Sequence, residues 1–138
     1  MSDHEAIIAA NELFYRAFST QDLRAMRRIW SGRPDDLCVH PGWERLVGWE
    51  AIEASWIAIF SDAAQLQVEA TDLLVDVLGD VARVSCTEVL RAAGSPPGGQ
   101  DRVAATNLFL RQADGWRLVL HHGSPIADEM SLGGAEFN

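Results

Sequence analysis

The sequence predicts an α+β domain, with its helices first and a curved antiparallel sheet after them. Three observations indicate this fold class. Apolar residues recur at three- and four-residue spacing as far as Phe60, which is typical of helices. Beyond Asp62 the chain forms long runs rich in Val and Leu, separated by short turns, which are typical of antiparallel hairpins. At 138 residues the chain fits one domain with a single core.

Three helices are predicted in the first half of the chain, over residues 5–18, 23–30 and 48–60. A capping Asp precedes the second helix, and Gly and Pro end it. Between the second and third helices, Leu37–Val39 is predicted as a short strand that stops at Pro41. The inward side of the third helix is predicted to carry Ile52, Trp56, Ile59 and Phe60.

Two hairpins are predicted in the second half. Residues 66–78 and 81–92 flank a Gly-Asp turn, and residues 102–112 and 116–123 flank an Ala-Asp-Gly turn. We assign residues 1–124 to one domain and residues 125–138 to an acidic C-terminal tail. A long sheet curls around the helices that cover it, which leaves a conical cavity suited to a small ligand.

Composition and charge exclude several functional classes. The net charge is −9, from 20 acidic and 11 basic residues, so a phosphate backbone would be repelled. No apolar run approaches the ~20 residues of a membrane span, and the N-terminus lacks a signal-peptide pattern. Cys38 and Cys86 lie in predicted strands without metal or redox spacing, so free buried thiols are expected. We expect a cytoplasmic protein that binds neither nucleic acid nor membrane.

Three segments of the sequence resemble the SnoaL-like branch of the nuclear-transport-factor-2-like superfamily. They are AANELFYRAFSTQDLRAMRRIW, CVHPGWERLVGWEAIEASW and RQADGWRLVLHHGS. The first resembles the opening helices, the second the strand, turn and third helix, and the third the closing hairpin. The resemblance implies a cone-shaped half-barrel that encloses a pocket, and a homodimer packed sheet to sheet.

The superfamily contains isomerases, dehydratases, epoxide hydrolases, polyketide cyclases and members without activity, so fold alone does not settle function. The resemblance implies a small apolar organic ligand and, if the protein is an enzyme, cofactor-free acid-base isomerisation, cyclisation or dehydration. The alternative is a non-catalytic ligand-binding or dimerisation module. We expect no cofactor. We also expect no metal, because His121 and His122 are strand neighbours that face opposite sides, and no further ligand spacing is present.

Three candidate catalytic residues follow from comparison with ketosteroid isomerase, a member of the superfamily. Tyr15 falls at that enzyme's oxyanion-hole tyrosine, His40 at its aspartate base, and Asn107 at its second oxyanion donor. Imidazole suits a base near neutral pH, although a His before Pro-Gly can also cap the turn. An amide in the apolar strand around Asn107 needs hydrogen-bond partners, because an unpaired one costs ~1 to 3 kcal/mol.

Seven further residues are predicted to line the pocket: Trp43, Trp56, Arg83, Ser85, Thr87, Phe109 and His122. Alternation along the fourth strand puts Arg83, Ser85 and Thr87 on one face, which we expect to meet the cavity. The alternative is that Glu88 points inward as an acid and Arg83 faces solvent or a dimer partner. One histidine of the 121–122 pair lines the pocket, for which we take His122, although the sequence does not distinguish them.

Overall fold

The computed structural model describes residues 1–62, 64–96 and 98–127. The helices are α1 (Asp3–Ser19), α2 (Leu23–Ile29) and α3 (Trp49–Phe60). The strands are β1 (Leu37–Val39), β2 (Leu46–Val47), β3 (Leu66–Leu78), β4 (Val81–Ala92), β5 (Asp101–Gln112) and β6 (Gly115–Pro125). The predicted α+β class is confirmed, and the predicted helices and long strands agree with the observed ones to within two residues at each end.

Local chemistry accounts for the helix starts. Ser2 and Asp22 cap α1 and α2, and their side chains accept hydrogen bonds from backbone N–H groups one turn ahead. Gly48 begins α3 with a φ of 89°, which L residues rarely adopt. A Cβ at Gly48 would also lie 3.1 Å from the carbonyl oxygen of Pro34. The entry into α3 therefore requires glycine.

The six strands form one mixed, open sheet in the order β2-β1-β6-β5-β4-β3. The pairs within the two long hairpins and between them are antiparallel, but β1 pairs in parallel with β6. The prediction of a wholly antiparallel sheet is wrong at this one pair, and β2 was not predicted. Hydrophobic patterns report which residues are extended, whereas the partner of a three-residue strand depends on tertiary packing.

The core lies between the helices and the inner face of the sheet. On β4 the inward side chains are Ala82, Val84, Cys86 and Glu88, all buried. The expectation that Arg83, Ser85 and Thr87 face inward is wrong. Arg83 bonds Asp76 of β3 on the exposed face, at 2.6 Å, whereas Tyr15 of α1 contacts Cys86 and Glu88 on the inner face. The alternative of an inward Glu88 is the observed arrangement.

The end of the described chain follows β6 directly. Pro125 closes the strand, and the Ile126 N–H donates to the carbonyl oxygen of Arg102 at 2.9 Å. Residues 128–138, most of the predicted acidic tail, lie outside the described residues. Among the residues described, no helix combines the length and the apolar content that crossing a bilayer requires.

Candidate active site

A cavity of about 340 Å³ opens between α1, α3 and the inner face of the sheet. Its walls are mainly apolar, with Phe18, Ile59, Leu66, Leu90 and Val103 among them. Three polar side chains, His40, Glu88 and His121, contact the same cavity and are almost fully buried. Mostly apolar walls with a few convergent polar groups are typical of a small-molecule site. We call this space the inner cavity.

His40 follows β1 and is held by α3. Its Nε2 lies 2.8 Å from Ser55 Oγ, and the Ser55 hydroxyl donates to the carbonyl oxygen of Ile52 at 2.6 Å. Because Ser55 has a single hydroxyl hydrogen, His40 Nε2 carries the proton and donates to Ser55. The imidazole ring packs edge-on against Trp43 and Trp56. The neutral ring therefore keeps Nδ1 as its basic nitrogen.

Tyr15 of α1 and Asn107 of β5 meet in a buried hydrogen-bond network. Asn107 Nδ2 donates to the Tyr15 hydroxyl at 3.1 Å and to Asn11 Oδ1 at 2.9 Å. The Tyr15 hydroxyl donates to Glu88 Oε2 at 2.7 Å. Asn107 Oδ1 lies 2.6 Å from His121 Nδ1, so the ring carries its hydrogen on Nδ1. The network connects α1 to three strands of the sheet.

Glu88 is the cavity residue that gains or loses its proton near neutral pH. Burial raises the pKa of its carboxyl to about 7, although the hydrogen bond from Tyr15 lowers it in part. The pKa of Tyr15 is raised well above its ordinary value by burial and by the negative charge of Glu88. Tyr15 therefore stays a neutral donor while Glu88 exchanges its proton.

The two cavity histidines are neutral at physiological pH. Burial lowers the pKa of His40 to about 4, and burial together with the neighbouring His40 and His122 lowers that of His121 to about 3. His121 Nε2 lies 3.7 Å from Glu88 Oε2. Because His121 is neutral, this contact is not an ion pair, and Nε2 is an acceptor that faces the carboxyl.

We expect the raised pKa of Glu88 to produce a loss of stability with rising pH. The folded protein holds this proton more tightly than the unfolded chain does. The free energy of unfolding should therefore fall by roughly 3 kcal/mol between about pH 4.5 and about pH 7. Urea unfolding of the parent and of Glu88→Gln across this range should show the fall in the parent alone.

The matched control for that measurement is Glu69→Gln, an exposed glutamate on β3. His40 and His121 act in the opposite direction, since their lowered pKa values cost stability as the pH falls below about 6.5. Both histidines are present in all three proteins, so the difference between the curves reports Glu88 and its contact with His121. Parallel curves for the parent and Glu88→Gln would show that Glu88 ionises normally.

The remaining predicted pocket residues lie in different places. Trp43 lines the mouth of the inner cavity and is 44% exposed, whereas Trp56 is fully buried behind His40. Phe109 is buried but borders a separate groove between α1, α2 and the β5–β6 turn. His122 faces the outer side of the sheet, with Ser85, and its assignment to the pocket is wrong. The parallel pairing of β1 with β6 puts Cys38 opposite His121, whose side chain turns inward.

Sequence reasoning did not predict three members of the site: His121, Ser55 and Asn11. Strict alternation from the buried Leu118 would put His122 on the inner face, and one bulge in β6 reverses this so that His121 is buried instead. Ser55 and Asn11 lie at helical positions in line with buried apolar residues, where a polar residue calls for a partner.

The chain belongs to the SnoaL-like domain family, whose model matches residues 7–128. Membership of this family indicates a protein of the small-molecule-binding or isomerase- and dehydratase-type class. No match was found among curated proteins.

Solved structures place the chain among nuclear-transport-factor-2-like proteins. A protein from Streptomyces avermitilis, described as a candidate dehydratase of that family, is 33% identical over 91% of this chain and 97% of its own, with a TM-score of 0.82. A candidate calcium/calmodulin-dependent protein kinase type II association domain from Thiobacillus denitrificans is 35% identical over 86% and 94%, with a TM-score of 0.76. A cystatin-like protein from Novosphingobium aromaticivorans, 22% identical over 98% and 90%, shares the fold with a TM-score of 0.74.

Proposed function

We propose that this protein binds a small, largely apolar organic molecule in the inner cavity and catalyses cofactor-free acid-base chemistry on it. Isomerisation, cyclisation and dehydration are the reactions that this chemistry covers. The observation that carries the proposal is Glu88, buried against an apolar cavity with a pKa of about 7. A carboxyl with that pKa can both donate and accept a proton at neutral pH.

His40 and Glu88 take the two proton-transfer roles in this proposal. In a dehydration, neutral His40 accepts the carbon-bound proton on Nδ1, and the C–H electrons form the double bond. Glu88 gives its proton to the departing hydroxyl, so water leaves. In an isomerisation the proton taken from one carbon returns to another. His121 lies between the two groups, with its ring centroid 6.2 Å from that of His40 and its Nε2 3.7 Å from Glu88.

Tyr15 and Asn107, the predicted oxyanion donors, act in this proposal through their neighbours. Their hydroxyl and amide hydrogens already bond Glu88, Asn11 and each other. In this arrangement they orient Glu88 and His121 rather than touch the substrate. A direct oxyanion role requires Tyr15 to release Glu88 when the ligand binds.

The second candidate is a non-catalytic ligand-binding or dimerisation module. The hydrogen bonds that Tyr15 and Asn107 already make favour it, because neither residue keeps a free hydrogen for an oxyanion. The Thiobacillus denitrificans relative described as an association domain also supports it. Against a dimerisation module that binds no ligand, Trp43 and Trp56 leave the inner cavity open instead of filling it.

Native mass spectrometry against pooled apolar metabolites, followed by incubation, tests the proposal. Leu90→Trp fills the inner cavity, whereas Ile57→Trp adds the same ring on the exposed side of α3. We expect ligands that bind the parent and Ile57→Trp but not Leu90→Trp. Product of unchanged mass, or product that has lost water, supports catalysis. Cavity ligands that return unchanged at every pH support the non-catalytic module.

We also propose that two copies pair through the outer face of the sheet. Leu74 and Leu78 of β3 are 68% and 61% exposed, and apolar side chains this open are typical of an interface. Leu74→Glu should convert a dimeric parent to a monomer in light scattering at micromolar concentration. Leu13→Glu is the matched control, because Leu13 is also an exposed leucine, at 51%, but lies on α1. This variant should keep the mass of the parent. A monomeric parent would contradict the proposal.

A further inference from the structure

We infer that the ligand of the inner cavity presents a hydroxyl group, as an alcohol rather than a ketone, to His40, Glu88 and His121. This inference rests on the proposed function and specifies its substrate class. It comes from counting which hydrogens the polar groups around the inner cavity have already used, and which lone pairs remain.

The neutral donors nearest the cavity are spent inside the protein. Tyr15 has one hydroxyl hydrogen, which goes to Glu88 Oε2. Asn107 has two amide hydrogens, which go to Asn11 Oδ1 and the Tyr15 hydroxyl. Three buried donors in the described residues have no partner, Asn11 Nδ2, Trp30 Nε1 and Trp56 Nε1, and none of these residues lines the cavity. A ligand therefore finds no neutral side-chain donor among these groups.

Both histidines offer acceptors. His40 uses its Nε2 hydrogen on Ser55 and keeps the lone pair of Nδ1, which makes one long contact, to Cys38 Sγ at 3.9 Å. His121 uses its Nδ1 hydrogen on Asn107 Oδ1 and keeps the lone pair of Nε2. These assignments follow from the partners, because Ser55 already donates to a carbonyl and an amide oxygen only accepts.

Glu88 is the one group that can change its role. Its Oε2 accepts from Tyr15, and Oε1 has no hydrogen-bond partner in the part of the chain that the structure describes. As a carboxylate Glu88 is a third acceptor, and only its protonated form offers a hydrogen. The titratable groups around it are Tyr15 of α1, Cys38 of β1, Cys86 of its own strand, and the two histidines. Each of these groups is neutral near pH 7, so among them only Glu88 changes the number of donors and acceptors offered to a ligand.

Three acceptors are complementary to a hydroxyl, which supplies the missing hydrogen. A ketone oxygen has no hydrogen to donate and would add a fourth acceptor to a buried site. The acceptors would then all stay unpaired, which weakens the binding of a ketone strongly. Among the three buried groups, only protonated Glu88 could receive a ketone, since the other donors of the lining, Trp43 Nε1 and the Arg102 guanidinium, belong to exposed residues. The preference for an alcohol should therefore be greatest above the pKa of Glu88 and weaker below it.

The test compares 1-indanol with 1-indanone, which share a carbon skeleton, by isothermal titration calorimetry. At about pH 8.5 we expect 1-indanol to bind ~10-fold or more tightly than 1-indanone, and at about pH 5.5 the ratio should narrow. Glu88→Gln has an amide donor at every pH, so its ratio should be small and independent of pH. Glu69→Gln, exposed on β3, should behave as the parent does.

The outcomes separate the inference from the proposed function. If 1-indanone binds as tightly as 1-indanol at high pH, and Leu90→Trp abolishes both, the ligand class is wrong while cavity binding stands. If a preference for 1-indanol persists unchanged in Glu88→Gln, groups other than Glu88 decide it and the inference fails. If neither probe binds the parent, the proposed cavity function fails and the inference fails with it.

Discussion

Replacing Trp56 by Ala should lower the free energy of unfolding by about 3 to 5 kcal/mol. The side chain is fully buried, and its ring packs edge-on against Phe14, Phe18 and His40 at centroid distances of 5.8, 5.0 and 4.8 Å. Truncation removes these contacts and leaves a cavity that the rigid sheet behind it cannot close. Because the indole Nε1 has no hydrogen-bond partner in the described residues, the loss is one of packing.

Denaturant unfolding of the parent and Trp56→Ala measures this effect. Trp43→Ala is the matched control, since the same ring is removed from a position that is 44% exposed at the cavity mouth. We expect that control to cost much less. If Trp56→Ala and Trp43→Ala unfold at the same denaturant concentration, the interior between α3 and the sheet is looser than the ring contacts indicate.

If the proposed chemistry is correct, His40→Ala and Glu88→Gln should each reduce turnover of a cavity ligand by ~10²- to 10⁴-fold. His40 supplies the base and Glu88 the acid, and neither substitution removes a large part of the core. Glu88→Gln also preserves the acceptor that Tyr15 bonds. Stopped or initial-rate assays on a ligand found by mass spectrometry would measure the loss, with unfolding curves recorded in parallel.

The pH profile distinguishes this mechanism from a merely structural role. Turnover requires neutral His40 and protonated Glu88, so it should be highest between about pH 4 and about pH 7 and fall on either side. Tyr15→Phe removes the hydrogen bond that lowers the pKa of Glu88, and should move the alkaline limb upward. His122→Ala, on the outer face, should leave the rate unchanged. A profile that is flat across pH 7 would contradict the assignment of Glu88 as the acid.

Much of the fold could be predicted from local sequence patterns. The bounds of β3 and β4 were predicted to the residue, because β-branched runs on either side of a Gly-Asp turn have one favourable pairing. Asn107 was predicted to need partners, and it makes three buried hydrogen bonds. These results depend on interactions between near neighbours or on the cost of an unpaired polar group, both of which a sequence reports directly.

The orientation of β4 could not be predicted in the same way. Alternation separates Arg83, Ser85 and Thr87 from Cys86 and Glu88, but it does not say which set faces α1. Polar residues occur in both sets, so hydrophobicity did not decide between them. Tertiary contacts did, because Tyr15 of α1 pairs with Cys86 and Glu88 on the inner face, and Arg83 pairs with Asp76 on the exposed face.

The sequence by itself determined the α+β class, the helices, the two long hairpins and a polar demand at Asn107, because each depends on spacing along the chain. Only the tertiary structure decided the site. A bulge in β6 turns His121 inward and His122 outward, and the parallel pairing of β1 with β6 brings His40 beside His121 from 81 residues away. Burial then raises the pKa of Glu88 to about 7, an effect that depends on the fold around the carboxyl and not on its neighbours in sequence.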